Sequence, residues 1–214
     1  PNGNAITKVF VTPEGHDLYQ ILAKFIGMGI FFSQGADDYL DSDVDGKGLK
    51  ASNAQYVKDG VAKPYSALGH AWDEGFGYFG AARDYNDYTD TQAAGKGETG
   101  TERAKGYHDT DGDGKISLKS EYNFGHSRNC AKRDRGSQEG AKTDFTKDAM
   151  DAFLKGRTLI LNSGDTLTAE QMTELEGYRD TAVSTWEKCI AATVVHYIND
   201  TLQDMAKFGA EGYD

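Results

Sequence analysis

The chain has 214 residues, which is enough to bury one hydrophobic core. Its formal net charge of −11 argues against a nucleic-acid partner, because neutralising phosphates needs a basic surface. The longest apolar stretch, Ile21 to Phe32, contains Lys24 and is shorter than the ~20 residues that cross a bilayer. We therefore expect one domain, residues 1–214, with no nucleic-acid partner and no membrane span.

The first strong helical signal runs from His16 to about Leu40, after a polar lead (residues 1–14) that we interpret as extended. Apolar residues crowd this stretch too densely for a surface helix and predict a central helix that is buried on most sides. Gly27, Gly29 and Gly35 interrupt it, and they mark either a close helix approach or merely weak positions.

An acidic segment, Asp37 to Ser52, follows this helix. Four of its residues imitate the first half of a calcium loop: Asp41, Asp43, Asp45 and Gly46. Ser52 falls where the closing acid belongs, so we predict a solvated acidic loop. Ala54 to Ala62 and Tyr65 to Glu74 then read as short helical pieces that are broken at Lys63-Pro64.

The stretch LGHAWDEGFGYFGAARD, Leu68 to Asp84, concentrates polar and aromatic residues, and its glycines predict a helix end followed by a turn. His70, Asp73 and Glu74 lie three and four residues apart, so on a helix they project from one face and have the geometry to hold a cation. In the alternative, His70 bonds a backbone carbonyl, the two acids face water and the aromatic side chains are core. The sequence leaves both open.

The run His-x-Trp-Asp-Glu-x-Phe-Gly-Tyr-Phe, from His70 to Phe79, resembles the signature of a bacterial family known as domain of unknown function 4856. That family is similar to the imelysin group of iron-regulated surface and periplasmic proteins. The resemblance implies a helical protein, exported or lipid-anchored, with a link to metal acquisition. A His-x-x-Glu motif in imelysin relatives has been read as that of a metallopeptidase, but the zincin pattern His-Glu-x-x-His is absent here.

Members of the resembling family are longer at the start, so the resemblance implies that a leader, and with it some N-terminal helices, precedes Pro1. A chain without such helices would expose apolar surface. We then expect a partner to cover it, either the missing segment or like subunits.

Residues 85–136 form a predicted loop-rich insertion, in which residues 85–106 contribute little to the core. The insertion carries DTDGDGKISLKSE, from Asp109 to Glu121, which matches a calcium loop of the EF-hand type. The matching residues are Asp109, Asp111 and Asp113 at positions one, three and five, Gly114 at six, Lys115 (through its carbonyl) at seven and Ile116 at eight. Hard oxygen ligands in this spacing predict a calcium site.

The end of the loop departs from the pattern, because Ser120 holds position twelve and the expected acid, Glu121, comes one residue later. Either the loop is one residue longer or a water molecule replaces a ligand, and the affinity then falls toward the weak range of extracellular sites. We expect a structural calcium ion in an extracellular, cell-surface or periplasmic protein. An Asp-Gly turn without an ion is the alternative.

Two more helices are predicted in the last third of the chain. One covers Phe145 to Leu161, and the other starts at the capping box Thr168 to Gln171 and runs to about Phe208, with a possible break near Gly177. A buried stripe is predicted on the second helix from Trp186 to Ile198. His196 adjoins that stripe and is a further candidate ligand; beside His70 it would indicate a transition metal.

Cys130 and Cys189 are the two cysteines of the chain. A disulfide closing a loop of about 60 residues and a pair of buried free thiols are equally compatible with the sequence.

The fold class that these elements predict is all-α: an irregular helical bundle with long loops and an inserted EF-hand-like calcium loop. The function we expect is an exported, calcium-binding module for ligand or metal uptake, linked to iron by the resemblance. A structural component of the bacterial cell surface and an imelysin-like metallopeptidase are the alternatives, and an enzyme is the less favoured class.

Overall fold

The computed structural model of the chain describes residues 10–98 and 100–210. These residues are mainly helical, with one small two-stranded sheet, so the predicted all-α class is confirmed in its coarser form as mainly α. The predicted extended lead, residues 1–14, lies mostly outside the described residues.

Seven α-helices and two strands are assigned in the described residues. They are α1 (Leu18–Lys24), α2 (Phe31–Ser33), β1 (Gln55–Lys58), β2 (Val61–Ser66), α3 (Ala67–Phe79), α4 (Asp90–Ala93), α5 (Gly125–Arg135), α6 (Phe145–Asn162) and α7 (Ala169–Met205). Wider π-helical turns, Phe25–Ile30 and Gln34–Tyr39, flank α2, and short 3₁₀ turns cover Gly48–Lys50, Tyr85–Asp87 and Glu102–Lys105.

The core lies where α3, α5, α6 and α7 meet, and aromatic rings fill it. Phe79 is fully buried, and its ring centroid lies 5.6 Å from that of Phe153 and 5.4 Å from that of Trp186. Trp72 is also buried, and its indole N–H donates to the carbonyl oxygen of Phe153 at 2.9 Å. The indole dipole is thereby satisfied inside the core, and the ring is fixed between α3 and α6.

The helical run predicted from His16 to Leu40 is present, but the prediction that it is buried on most sides is wrong for its first half. Phe25 is 77% exposed and Ile21 is 53% exposed, whereas Gly35 and Ala36 are buried. The second half packs under α3 and α7, where Phe32 lies edge-on to Trp186. The first half reaches beyond these helices, so the described chain offers it little surface to pack against.

The predicted helical piece at Ala54 to Ala62 is wrong, because these residues form a β-hairpin. β1 pairs with β2 in antiparallel fashion, with Lys58 opposite Val61. Asp59 and Gly60 between them both have positive φ, 53° and 73°. An Asp-Gly pair between β-branched and aromatic residues favours this tight hairpin turn, and its preference outweighed the weak helical pattern.

Helix α3 is longer than predicted, since it continues through Gly75 and Gly77 to Phe79. It starts at Ser66, whose hydroxyl accepts from the Gly69 N–H, and it ends at Gly80 with a left-handed φ of 85°. Packing of its aromatic face outweighs the low helix propensity of the internal glycines.

The two long helices predicted near the end of the chain are confirmed as α6 and α7. Thr168 and Gln171 form the capping box, and α7 shows no break at Gly177. The predicted buried stripe is only partly correct: Trp186 and Cys189 are buried, but Ile198 is 53% exposed.

The insertion is more tightly packed than the sequence predicted. Tyr85 and Ala94 belong to the core, so the expectation that residues 85–106 contribute little is wrong. The Tyr85 hydroxyl donates to the carbonyl oxygen of Ser127 at 2.6 Å, which ties the start of the insertion to α5. Cys130 on α5 and Cys189 on α7 are both free thiols and fully buried.

None of the helices in residues 10–98 and 100–210 combines the length and the apolar character needed to cross a bilayer, which agrees with the prediction from the short apolar stretch Ile21 to Phe32.

Candidate metal centre

A short antiparallel bridge closes the predicted calcium loop at its base. Tyr107 pairs with Tyr122, and their rings stack with centroids 6.1 Å apart. The N–H of His108 donates to the carbonyl oxygen of Glu121, and that of Asn123 to the carbonyl oxygen of Gly106. The loop therefore leaves and rejoins the fold through paired extended backbone, and the helix–loop–helix frame of an EF-hand is not observed around it.

The second arm of this stem is anchored to the segment that follows α3. The Ala82 N–H donates to the side-chain oxygen of the fully buried Asn123 at 2.7 Å, and the Phe124 N–H to the carbonyl oxygen of Gly80. Helix α3, which carries the His70 to Phe79 run, and the acidic loop are far apart in sequence, but their ends are adjacent in space. Asn123 is a positioning residue that the sequence did not identify, because a lone Asn carries no distinctive pattern.

Three acidic side chains converge inside the loop. Carboxylate oxygens of Asp109, Asp111 and Glu121 all lie within 4.8 Å of one another, and in the described chain they form the one such group of acidic, histidine or cysteine side chains. Calcium binds oxygen at 2.3–2.6 Å, so a single ion between these oxygens would contact all three. The late acid, Glu121, thus reaches the other two despite the extra residue in the loop.

The remaining predicted ligands lie nearby but outside this group. A carboxylate oxygen of Asp113 accepts from the N–H of Lys115 at 2.8 Å, and Lys115 itself is exposed. The two carboxylate oxygens of Asp109 accept from the N–H groups of Gly112 and Gly114, which curls the loop around Asp109. Hydrogen bonds from backbone N–H groups to a nearby Asp side chain are typical of tight turns, and here they hold the shape of the loop.

Glu121 is the structural centre of the loop. It is only 2% exposed, and its carboxylate accepts from the hydroxyl and N–H of Thr110 at 2.6 and 2.7 Å and from the N–H of Ser117 at 2.9 Å. The Thr110 hydroxyl bond and then the backbone bonds lower the pKa of Glu121 to about 2. Glu121 therefore stays ionised and fastens the loop across its width.

The donor set fits a hard divalent cation. All three converging groups are carboxylates, and burial falls from Glu121 through the partly buried Asp109 to the exposed Asp111, so the group opens to solvent on one side. Carboxylate oxygens favour calcium or magnesium over softer metals, and calcium accepts irregular geometry with water completing the shell.

An ion-pair cluster underneath the loop was not predicted. The Arg103 guanidinium lies 2.7 Å from a carboxylate oxygen of Asp84, and the imidazole of His108 lies 3.4 Å from the same oxygen. Burial acts to lower the pKa of Arg103, but the hydrogen bond to Asp84 and the negative charges of Asp84 and Asp87 outweigh it, so that the pKa is raised above its ordinary value. Since His108 directly precedes Asp109, this cluster holds the entrance of the loop in place.

The second predicted site is arranged differently from the first. His70 and Glu74 lie 3.8 Å apart, but Asp73 accepts from the Arg157 Nε at 2.7 Å. The His70 ring stacks on Tyr65, with centroids 5.0 Å apart, and His196 pairs with Asp200. Metal binding at His70, Asp73 and Glu74 stays a prediction, with one of its three side chains already held by a cation.

The fold and the loop define a mainly α-helical protein with a carboxylate cluster at its surface. Residues 2–94 match the sequence model of the family described as Domain of unknown function (DUF4856). The matched segment contains the His70 to Phe79 run that carried the resemblance, covers less than half of the 214 residues and ends before Asp109. No curated protein and no solved structure matches the chain.

Proposed function

We propose that this protein is an exported calcium-binding module in which one ion stabilises the loop from Asp109 to Glu121. The observation that supports it most is the convergence of oxygens from Asp109, Asp111 and Glu121 within 4.8 Å. Three ionised carboxylates at such short distances repel one another, and a divalent cation between them offsets that repulsion.

Calcium acts as a structural ion in this proposal. With a dissociation constant of ~10⁻⁴ to 10⁻³ M and calcium ten- to a hundredfold above it, binding contributes roughly 1.4 to 2.7 kcal/mol to the free energy of unfolding. Such concentrations exist outside the cytoplasm, which is why we place the protein at the cell surface or in the periplasm.

Calorimetric titration with calcium chloride tests the site. We expect Asp111→Asn to weaken calcium binding by at least about tenfold, since Asp111 supplies one of three charged ligands. The matched control is Asp43→Asn, because Asp41, Asp43, Asp45 and Gly46 repeat the start of the loop pattern without a closing acid. We expect Asp43→Asn to leave the affinity for calcium unchanged.

Two results would count against the calcium site. One is the absence of any calcium-dependent heat in the unsubstituted protein at millimolar calcium. The other is an equal loss in Asp111→Asn and Asp43→Asn, which would indicate nonspecific attraction by the acidic surface.

A role in ligand or metal uptake extends this proposal, and it rests on the resemblance to the imelysin group. Metal analysis of protein purified without chelator would reveal a transition metal beside calcium. We expect His70→Ala to remove that second metal and to retain calcium; metal content that does not change would rule out the site at His70, Asp73 and Glu74.

A further inference from the structure

A cleft of 770 Å³ lies between α3 and α6, and Leu118, Lys119 and Phe124 from the end of the acidic loop and the residues after it contribute to its lining. We name it the α3–α6 cleft. Its apolar lining includes Trp72, Phe76 and Phe153, whose rings are locked together by edge-to-face contacts. The volume falls within the range of small-molecule sites, and a rigid aromatic floor is typical of them.

Two leucines extend the apolar surface to the rim of the cleft. Leu118 is 70% exposed on the loop side, and Leu154 is 46% exposed on α6. Opposite them, Gly77 on α3 lines the cleft, and a Cβ atom built there meets no atom within 4 Å. The space above the aromatic floor is therefore open beside Gly77, and the two leucines add apolar surface on the loop side and the α6 side.

The cleft carries positively charged side chains, although the chain as a whole is acidic. Arg83 and Lys119 both line it, and neither forms an ion pair with an acid of the described residues. The Arg83 N–H donates to the carbonyl oxygen of Ser120 at 2.8 Å, which places the backbone of Arg83 beside that of the residue following Lys119, and both cationic side chains are exposed. The third cation, Arg157, is already neutralised by Asp73.

The two acids of the cleft are on α3, whereas Arg83 and Lys119 lie outside that helix. Asp73 and Glu74 belong to the middle of α3, about 8 Å or more along the helix axis from its last residue, Phe79, whereas Arg83 follows the helix. Asp73 is paired with Arg157, and Glu74 lies 3.8 Å from His70. One end of the cleft thus carries unpaired positive charge, and the floor beside it is apolar.

We propose that the α3–α6 cleft binds a small organic anion with an apolar body, such as an alkyl carboxylate, whose charged group contacts Arg83 and Lys119. The apolar body then covers the aromatic floor, and the head group neutralises two cations that no acid of the described chain neutralises. The inference adds a ligand class to the proposed module. It needs no calcium ion, so its failure would leave the calcium test unaffected.

Calorimetric titration of the full chain with octanoate tests the head-group contact. We expect Arg83→Gln combined with Lys119→Gln to weaken binding by at least about tenfold. The matched control combines Arg135→Gln with Lys188→Gln, two exposed cations outside the cleft that bring the same change in net charge. It should bind octanoate within about twofold of the unsubstituted protein.

A second pair of variants tests the apolar body. Gly77→Leu places a side chain in the open cleft and should abolish octanoate binding, whereas Gly177→Leu adds the same side chain to open space on α7 and should not. Thermal unfolding of both variants shows that each is folded. Because the arginine and lysine variants change no buried group, they keep the test decisive if Gly77→Leu unfolds.

Three results would overturn the proposal: no binding of octanoate by the unsubstituted protein, equal binding by all four variants, or binding of octyltrimethylammonium as tight as that of octanoate. The last would show a merely apolar surface without selectivity for anions.

Discussion

Gly156 shows how closely single residues are fitted in the core. It lies on α6 against Trp72, and a Cβ atom at this position would overlap the indole ring. The ring cannot move aside, because it is 1% exposed and its N–H is bonded to Phe153. The absence of a side chain at residue 156 therefore sets the distance between α3 and α6, which are the two walls of the cleft.

We expect Gly156→Ala to lower the free energy of unfolding by about 2 kcal/mol through overpacking, despite the higher helix propensity of alanine. Gly177→Ala on α7 is the matched control, since nothing lies within 4 Å of its added Cβ atom, and it should stabilise by roughly 0.5–1 kcal/mol. Urea unfolding of both variants measures the difference. Equal effects would mean that the ring has room to shift.

His126 is a buried residue with a measurable pH effect. Its Nε2 donates to the carbonyl oxygen of Met28 at 2.9 Å, and its ring lies edge-on to Trp186. Burial lowers the pKa of His126 to about 4, and the bond to Met28 opposes this shift only in part. The folded protein therefore holds a neutral imidazole at neutral pH.

The unfolded chain binds a proton at this position near pH 6.5, whereas the folded chain binds it only near pH 4. Stability is thus fully present above about pH 6.5 and is lost as the pH falls toward 4, by about 3 kcal/mol in all. We expect His126→Gln to lose less stability over this range, as measured by urea unfolding at each pH. Parallel pH profiles for the two proteins would contradict the assignment.

At the scale of elements, strong local patterns were predictable and contacts were not. The capping box at Thr168 and the periodicity of α6 predicted both long helices correctly. The same reasoning predicted that residues 16–40 are buried on most sides, which is wrong for the first half. A high density of apolar residues indicates that a helix needs a packing partner, but it does not identify that partner. It also missed the hairpin at Asp59-Gly60, whose turn preference had to be weighed against a weak helical pattern.

The acidic loop was also predictable only in part, because its local spacing is visible in the sequence and its contacts are not. The spacing of Asp109 and Asp111 follows from the sequence alone, but the reach of Glu121 depends on the bridge between Tyr107 and Tyr122. The roles of Thr110, Asn123 and the pair Asp84–Arg103 depend on folding, since no local pattern distinguishes them from ordinary loop residues.

Helix α7 divides into a packed first half and an exposed second half. Leu175, Trp186 and Cys189 are fully buried, whereas Leu202 and Met205 are 59% and 66% exposed. An unsupported helical segment opens locally with little cost. We expect amide hydrogens of residues 194–205 to exchange at least about a hundredfold faster than those of residues 178–189.

Hydrogen exchange followed by mass spectrometry measures both halves of the same helix in one experiment. Exchange on residues 18–30, which also carry exposed apolar side chains, should resemble that of the exposed half. Equal protection along the whole of α7 would show that the exposed half is covered in solution.

The whole molecule has more surface than its mass requires. Its accessible area is 13368 Å², whereas a compact protein of 23.3 kDa has about 9,700 Å². Residues 18–30 and 194–205 carry exposed apolar side chains, whereas the core lies in the bundle of α3, α5, α6 and the first half of α7. The acidic loop is fastened to this unit through Asn123 and the end of α3.

The net charge of −11 favours cation binding further, since each bound divalent ion lowers the repulsion between the acidic side chains. The most direct test is a crystal structure of the protein grown with calcium, in which anomalous scattering locates the ion. We predict one calcium ion at 2.3–2.6 Å from oxygens of Asp109, Asp111 and Glu121. An ion bound instead at Asp41, Asp43 and Asp45, or a loop from Asp109 to Glu121 that keeps its form with no ion at saturating calcium, would contradict the proposed function.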